Sequence, residues 1–361
     1  VGSEMCIRDR SSAPACPVQG EIFSLSHPGD SRYFPTKAPR DGVLRRRKLL
    51  FKWLKKSAAR ARILGVDVSE HGFGLVVMDR SDAARPLVTD ASWRAFNGGR
   101  EKAEVLKQAI RDLKARGLPV VATLPSSAYS LVQLEAPELD ADELREAMRW
   151  RVKDLIDFPV EEATIDVFEL PESRRPGAPS LVYVVVAQSD QVETLGGLLH
   201  DAGLKVEAID IAEMAIRNLA LHLDRPGRPR AYLQLQPGQT IIEISDGSQI
   251  FLSRRVMQDY DENSDAELLR AQMENLALEV QRSLDYFESQ YALGPADRLS
   301  VMVDSDAQFE AFARVAGTFL TVQTERFSLA GMATAEHVDR GNLGHGITAV
   351  GAAMRGLPRA A

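Results

Sequence analysis

Ile63-Leu64-Gly65-Val66-Asp67-Val68-Ser69-Glu70-His71-Gly72-Phe73-Gly74-Leu75-Val76-Val77-Met78-Asp79 is the stretch on which the fold turns. Two apolar runs rich in β-branched residues flank a polar break that ends in glycine, which reads as strand, hairpin, strand. Ile63–Val68 is the first strand, and Gly72 leads into the second, Phe73–Asp79. A third strand is expected over Leu87–Phe96. A helix over Gly99–Arg116 follows, with Val105, Leu106, Ile110 and Leu113 on one stripe and Gly117 as its stop. Pro119–Leu124 reads as a buried strand, so the first unit is strand, strand, strand, helix, strand.

The same order returns after residue 230. Ala231–Leu235 and Thr240–Ser245 are strands, and Asp246-Gly247 turns the chain into Gln249–Val256. A long helix follows, with Ser264 and Glu267 placed for a capping box. Its stripe of Leu269, Met273, Leu276, Val280, Leu284, Phe287 and Tyr291 keeps a 3.6-residue period. Leu299–Val303 is the fourth strand, with a further helix and strand through Phe327. Two copies of this order predict an α/β chain with the actin-like ATPase fold, two ribonuclease-H-like halves facing a nucleotide cleft. The halves are expected at 63–128 and 211–356, with a short tail at 357–361.

Between them lies an inserted α+β subdomain, expected over residues 129–210. It holds strand Tyr129–Leu134, helix Asp140–Ile156, strands Thr164–Leu170 and Leu181–Ala187, helix Ser189–Asp201 and a last strand Val206–Ile211.

The 361 residues carry 44 Lys plus Arg and 51 Asp plus Glu, a net charge of −7. That total joins unlike parts. Residues 1–62 hold 14 basic residues against 5 acids, so the rest of the chain carries −16. An acidic body argues against a protein that coats nucleic acid. The two cysteines, Cys6 and Cys16, lie in the arm and cannot build a disulfide framework or a four-thiolate zinc site. Val1–Asp41, rich in Ser, Pro and Gly, reads as disordered, and Val1–Arg10 resembles a cloning linker. Residues 1–49 are therefore expected to be a partly non-native leader. The basic stretch Arg45–Arg62 has Leu50, Trp53 and Leu54 on one helical face. It suits either peripheral contact with an anionic membrane or a solvated leader.

Three motifs carry a family resemblance. Arg149-Trp150-Arg151-Val152-Lys153-Asp154-Leu155-Ile156-Asp157-Phe158-Pro159-Val160-Glu161-Glu162-Ala163, running on to Pro171, resembles the MshI group of MSHA type IV pilus biogenesis proteins, which are similar to PilM. Glu279-Val280-Gln281-Arg282-Ser283-Leu284-Asp285-Tyr286-Phe287-Glu288-Ser289-Gln290 is similar to the long helix of that family's second half. Leu50-Phe51-Lys52-Trp53-Leu54-Lys55-Lys56 resembles the family's usual beginning, which places the expected native start near residue 50. The resemblance implies a cytoplasmic protein docked at the inner membrane. It implies binding of the cytoplasmic N-terminal tail of a bitopic, PilN-like pilus protein, in a groove between the inserted subdomain and the first half.

The resemblance also implies a cofactor site for ATP with magnesium, built from two Gly-rich hairpins whose amides approach phosphate. The matching positions are Asp67, Ser69 and Gly72 in the first hairpin, Gly238, Gln239 and Thr240 in the second, and Gly346 and Gly351 in a C-terminal segment resembling the adenosine side. The pattern is degenerate. Ser69 stands where the family has glycine, Glu70 brings a negative charge, and Gln234 and Gln236 replace an aspartate and a glycine. Loss of a metal-orienting carboxylate removes charge stabilisation from the transition state, so no hydrolysis is expected. Two readings stand: nucleotide binding without turnover, or a vestigial cleft with Asp67 as an ordinary hairpin residue.

The six histidines show no ligand spacing, and no metal site is expected. Ser126-Ser127 lacks the glycines of a nucleophile turn and reads as a turn or cap. Trp93 and Trp150 read as packing residues. The expected function is a non-hydrolysing scaffold of a type IV pilus machine. An active ATPase of the same fold and an adaptor of a type II secretion platform are the alternatives; the second is expected to continue into a membrane span, which does not follow before Ala361.

Overall fold

A computed structural model describes residues 61–358, apart from 97–100, 138, 140, 224–227, 237–238, 248, 258–264, 331, 337 and 339–343. The leader over 1–49 and nearly all of the basic start over 50–62 lie outside the described residues.

The opening strands, β1 (Arg62–Val68) and β2 (Gly72–Asp79), are buried almost throughout, as their unbroken apolar runs require. They pair antiparallel, with Asp67 opposite Gly74. β3 (Leu87–Ala95) extends the meander, and after α1 (Lys102–Asp112) the strand β4 (Pro119–Thr123) runs parallel to β1. β5 (Tyr129–Glu135), α2 (Ala141–Val152), β6 (Ala163–Glu169) and β7 (Leu181–Gln188) then build a separate antiparallel sheet in the order β5-β7-β6.

The inserted subdomain ends there rather than at residue 210. Helix α3 (Ser189–Asp201) buries Val192, Leu195 and Leu199 in the core of the first half. β8 (Lys205–Asp210), read from sequence as the last strand of the insertion, pairs parallel with β4. A local apolar pattern identifies a strand but not the sheet it joins, and here burial against α3 decides.

α4 (Ala212–Leu223) crosses to the second half, where β9 (Arg230–Gln236), β10 (Gln239–Ser245) and β11 (Ile250–Val256) form the second meander. The long helix is α5 (Ala266–Tyr291), with Met273, Leu276, Val280, Leu284, Phe287 and Tyr291 all buried. Its N-cap is Asp265, which accepts from the amides of Glu267 and Leu268; Ser264 lies outside the described residues. β12 (Leu299–Met302), α6 (Asp306–Phe319) and β13 (Thr324–Arg326) complete the sheet in the order β11-β10-β9-β12-β13. The first sheet runs β3-β2-β1-β4-β8, so the two halves share one strand order, third-second-first-fourth-fifth.

The chain then returns. β14 (Ala333–Thr334) pairs parallel with β3, and α7 (Ile347–Ala353) lies against β1, β2, β4 and α4. The second half was expected to run through residue 356; these residues instead complete the first. Gly65 makes the return feasible, since a Cβ there would lie 1.9 Å from the Ala349 carbonyl oxygen.

Candidate functional site

Strands β1 and β4 of one half and β9 and β12 of the other end at the crevice between the sheets, where α/β folds place ligands. Asp67 sits there, buried at 6% exposure. Thr123 at the end of β4 donates its hydroxyl to Asp67 Oδ1 at 2.6 Å, and the Thr348 side chain on α7 stands beside the same carboxyl group. From β9, Gln234 Nε2 donates to Thr348 Oγ1 at 2.6 Å. The Thr348 oxygen accepts from the Gln234 amide, which leaves its proton free to face the Asp67 carboxylate. Burial pushes the Asp67 carboxyl up to about 6; Thr123 opposes this, and nearby Asp304 reinforces it.

The C-terminal segment closes over this chain of bonds. A Cβ on Gly74 would lie 2.7 Å from the His345 carbonyl oxygen, so only glycine lets the loop settle beside Asp67. The His345 ring stacks on Trp93 at 5.0 Å, and its Nδ1 lies 3.1 Å from Asp304 Oδ2. A cavity of about 660 Å³ opens beyond, lined by Val303, Phe327, Met332, Gly344 and Ile347. Arg326 at its edge is already paired with Asp306.

The first hairpin, expected to hold phosphate, does not fit it. An anion-binding hairpin needs free amide N–H groups. Ser69 Oγ instead accepts from the amides of His71 and Gly72, at 3.2 and 3.1 Å, and the Ser69 amide donates to the Gly72 carbonyl. The Glu70 carboxylate is held beside this hairpin by the Ser127 hydroxyl. Gly72 serves packing, since a Cβ would come within 2.8 Å of the Trp93 ring. Gly346 is the N-cap of α7. Gly351 lies in the crossing of α7 with α4, where a Cβ would meet the Ala215 carbonyl oxygen at 2.2 Å, so it does not line an adenosine site. Thr240 is buried within β10, Gln239 pairs through its backbone with Gln236, and Gly238 lies outside the described residues. No group of three or more His, Cys, Asp or Glu among the described residues could hold a metal ion.

Of the sequence-derived site residues, only Asp67 belongs to the buried chain of bonds. Thr123 and Asp304 were missed, because their neighbours lie far along the chain and no local motif marks them; His345 and Thr348 lie in the C-terminal segment that resembles the adenosine side, but were not singled out within it. Trp93 packs as expected, whereas Trp150 is 63% exposed.

A second set of contacts ties the inserted subdomain to the second half. Arg255 on β11 reaches Glu213 of α4 with Nε at 2.9 Å, donates to the carbonyls of Ser126 and Tyr129, and lies 3.9 Å over the Tyr129 ring. Tyr129 Oη donates to the other oxygen of Glu213 at 2.5 Å. Ser173 and Arg175 donate to the carbonyls of Gln290 and Ser289 at the end of α5, both at 2.8 Å.

Residues 60–227 match the family model described as type IV pilus assembly protein PilM. This segment is similar to the PilM family. It spans β1 to α4, and therefore the inserted subdomain and every strand of the first sheet except β14. A solved PilM-PilN type IV pilus biogenesis complex contains a chain that superposes with a TM-score of 0.66 at 21% identity, over 82% of this chain and 99% of that one. The matched segment thus sits in a two-half frame, the actin-like ATPase fold. The cytoplasmic domain of EpsL, from the type II secretion system of Vibrio cholerae, is 14% identical with a TM-score of 0.46, over 81% and 94% of the two chains. A Bacteroides thetaiotaomicron protein of actin-like ATPase fold is 10% identical with a TM-score of 0.44, over 74% and 92%. No curated protein matches the chain.

Proposed function

We propose that this chain is a scaffold of a type IV pilus biogenesis machine of the MSHA kind, working at the cytoplasmic face of the inner membrane without hydrolysing ATP. It takes the cytoplasmic N-terminal tail of a bitopic, PilN-like membrane protein. The observation that carries the partner is the likeness to nearly the whole of a chain solved in a PilM-PilN complex. An extended tail laid against the inserted subdomain and the first half gains apolar burial in exchange for its ordering entropy. Among the described residues no helix is long and apolar enough to cross a membrane, so docking through a membrane-bound partner supplies the localisation.

The absence of turnover rests on the cleft. The Ser69, His71 and Gly72 amides are spent within the first hairpin, Asp67 is bonded by the Thr123 hydroxyl, and Gln234 offers an amide where the family has a metal-orienting carboxylate.

Titration of the full chain with the labelled N-terminal peptide of the neighbouring bitopic pilus protein tests the reading. Saturable binding is expected. No binding by a chain shown folded by circular dichroism overturns the partner assignment. Phosphate release under ATP and magnesium is expected to stay at background, and turnover abolished by Asp67→Ala would overturn the non-hydrolysing role.

A further inference from the structure

We propose that Gln234 turns the crevice into a clasp, holding the two halves closed by their own side chains with nothing bound between them. Gln234 on β9 donates to Thr348 on α7, which packs on β1, β2 and β4 with Thr348 beside Asp67, and Thr123 on β4 meets Asp67 from the other side. The path runs from the second half through the returning helix into two strands of the first, and every member is buried.

The amide is the feature that makes the path continuous. Thr348 has a single hydroxyl proton, which cannot serve carboxylates on both sides. A carboxylate at 234 would face Asp67 across that hydroxyl, and two acids in a dry crevice repel. Gln234 supplies the missing proton and carries no charge. Its own carbonyl oxygen stays buried without a partner, so the residue is oriented for donation rather than for complete hydrogen bonding.

Two further contacts keep the halves in place. The His345 loop, seated on Gly74 and stacked on Trp93, reaches Asp304 of the second half with Nδ1 at 3.1 Å. On the other side, Ser173 and Arg175 of the inserted subdomain hold the end of α5. The surfaces presented to a partner are consequently preformed. The clasp concerns the crevice alone and stands whichever protein docks outside it.

The test is a distance measurement across the crevice by single-molecule energy transfer on the full chain. Cys6→Ser and Cys16→Ser remove the existing thiols, and Ser81→Cys and Glu288→Cys provide one exposed label on each half. The expected result is one narrow distance population, unchanged by ATP with magnesium. Gln234→Leu and Thr348→Val are expected to add a longer-distance population, and Thr348→Ser, which keeps the hydroxyl, to restore the single one. Should Gln234→Leu fail to fold by circular dichroism, the Thr348→Val and Thr348→Ser pair decides. An unchanged distribution in Thr348→Val, or movement of the parent halves on adding ATP, overturns the clasp.

Discussion

Tyr183 Oη and the backbone of Ser253 satisfy each other twice, the amide reaching the phenol oxygen at 2.8 Å and the phenol donating to the carbonyl at 2.9 Å. Ser253 lies on β11, the edge strand of the second sheet. One side chain of the inserted subdomain therefore fills the place of a neighbouring strand at that point. Tyr183→Phe removes both bonds and leaves two backbone groups unmet, at a cost of about 1–3 kcal/mol. A lower urea midpoint with an unchanged slope is the expected result, and an unchanged midpoint would show that water replaces the phenol.

Glu213 is fully buried and held by Arg255 and Tyr129, with Glu243 close by. Burial first, and then Glu213, raise the Glu243 carboxyl well above its ordinary range. Removing the cation by Arg255→Met leaves Glu213 charged and unpaired in a dry site, a loss of about 3–5 kcal/mol. Adding Glu213→Gln in the same chain is expected to recover a large part of it. Chemical denaturation of the four members of that cycle measures the coupling, and additive losses would count against a buried pair.

Gly351→Ala and Gly197→Ala separate packing glycines from free ones. At 351 the new methyl meets the Ala215 carbonyl, and overpacking of this kind costs about 1–3 kcal/mol or more. At 197, on the exposed face of α3, nothing lies within 4 Å, and the change gains up to about 1 kcal/mol of helix propensity. Thermal melts are expected to move in opposite directions. Equal shifts would mean that α7 does not press on α4.

Asp67 gives the chain a pH signature. Its carboxyl titrates at about 6 in the folded state against an ordinary 3.8. Between those values the folded chain binds the proton and the unfolded chain does not, so stability rises as pH falls through that window. A raised value of this size corresponds to roughly 3 kcal/mol across the window. Asp67→Asn cannot ionise, and its stability relative to the parent is expected to be greatest at neutral pH and to shrink toward about pH 4. Unfolding free energies of both chains across that range measure the difference, and a constant offset would place the proton elsewhere.

The strands and helices were legible because their signals are local. The paired apolar runs around Asp67, the Asp246-Gly247 turn and the six-turn stripe of α5 each lie within one stretch of chain. What sequence could not supply were relationships between distant stretches. Val206 to Asp210 looks the same whether it joins β7 or β4, and only the burial of α3 distinguishes the two. Gly351 sits in a glycine-bearing segment that suits a nucleotide, yet the Ala215 carbonyl above it belongs to another helix. Gln234 was visible as a lost aspartate. Its gain, a donor for Thr348, needed the geometry.

The seating of α7 on β1 has a consequence for synthesis. Gly65 is among the earliest residues of the described fold to leave the ribosome, and Ala349, which covers it, is among the last. The floor of the first sheet is missing until the second half has been made, so the two halves mature together rather than one after the other. A chain that stops before α7 presents the bare face of β1 and β2 to chaperones, and that surface alone marks it for cellular quality control.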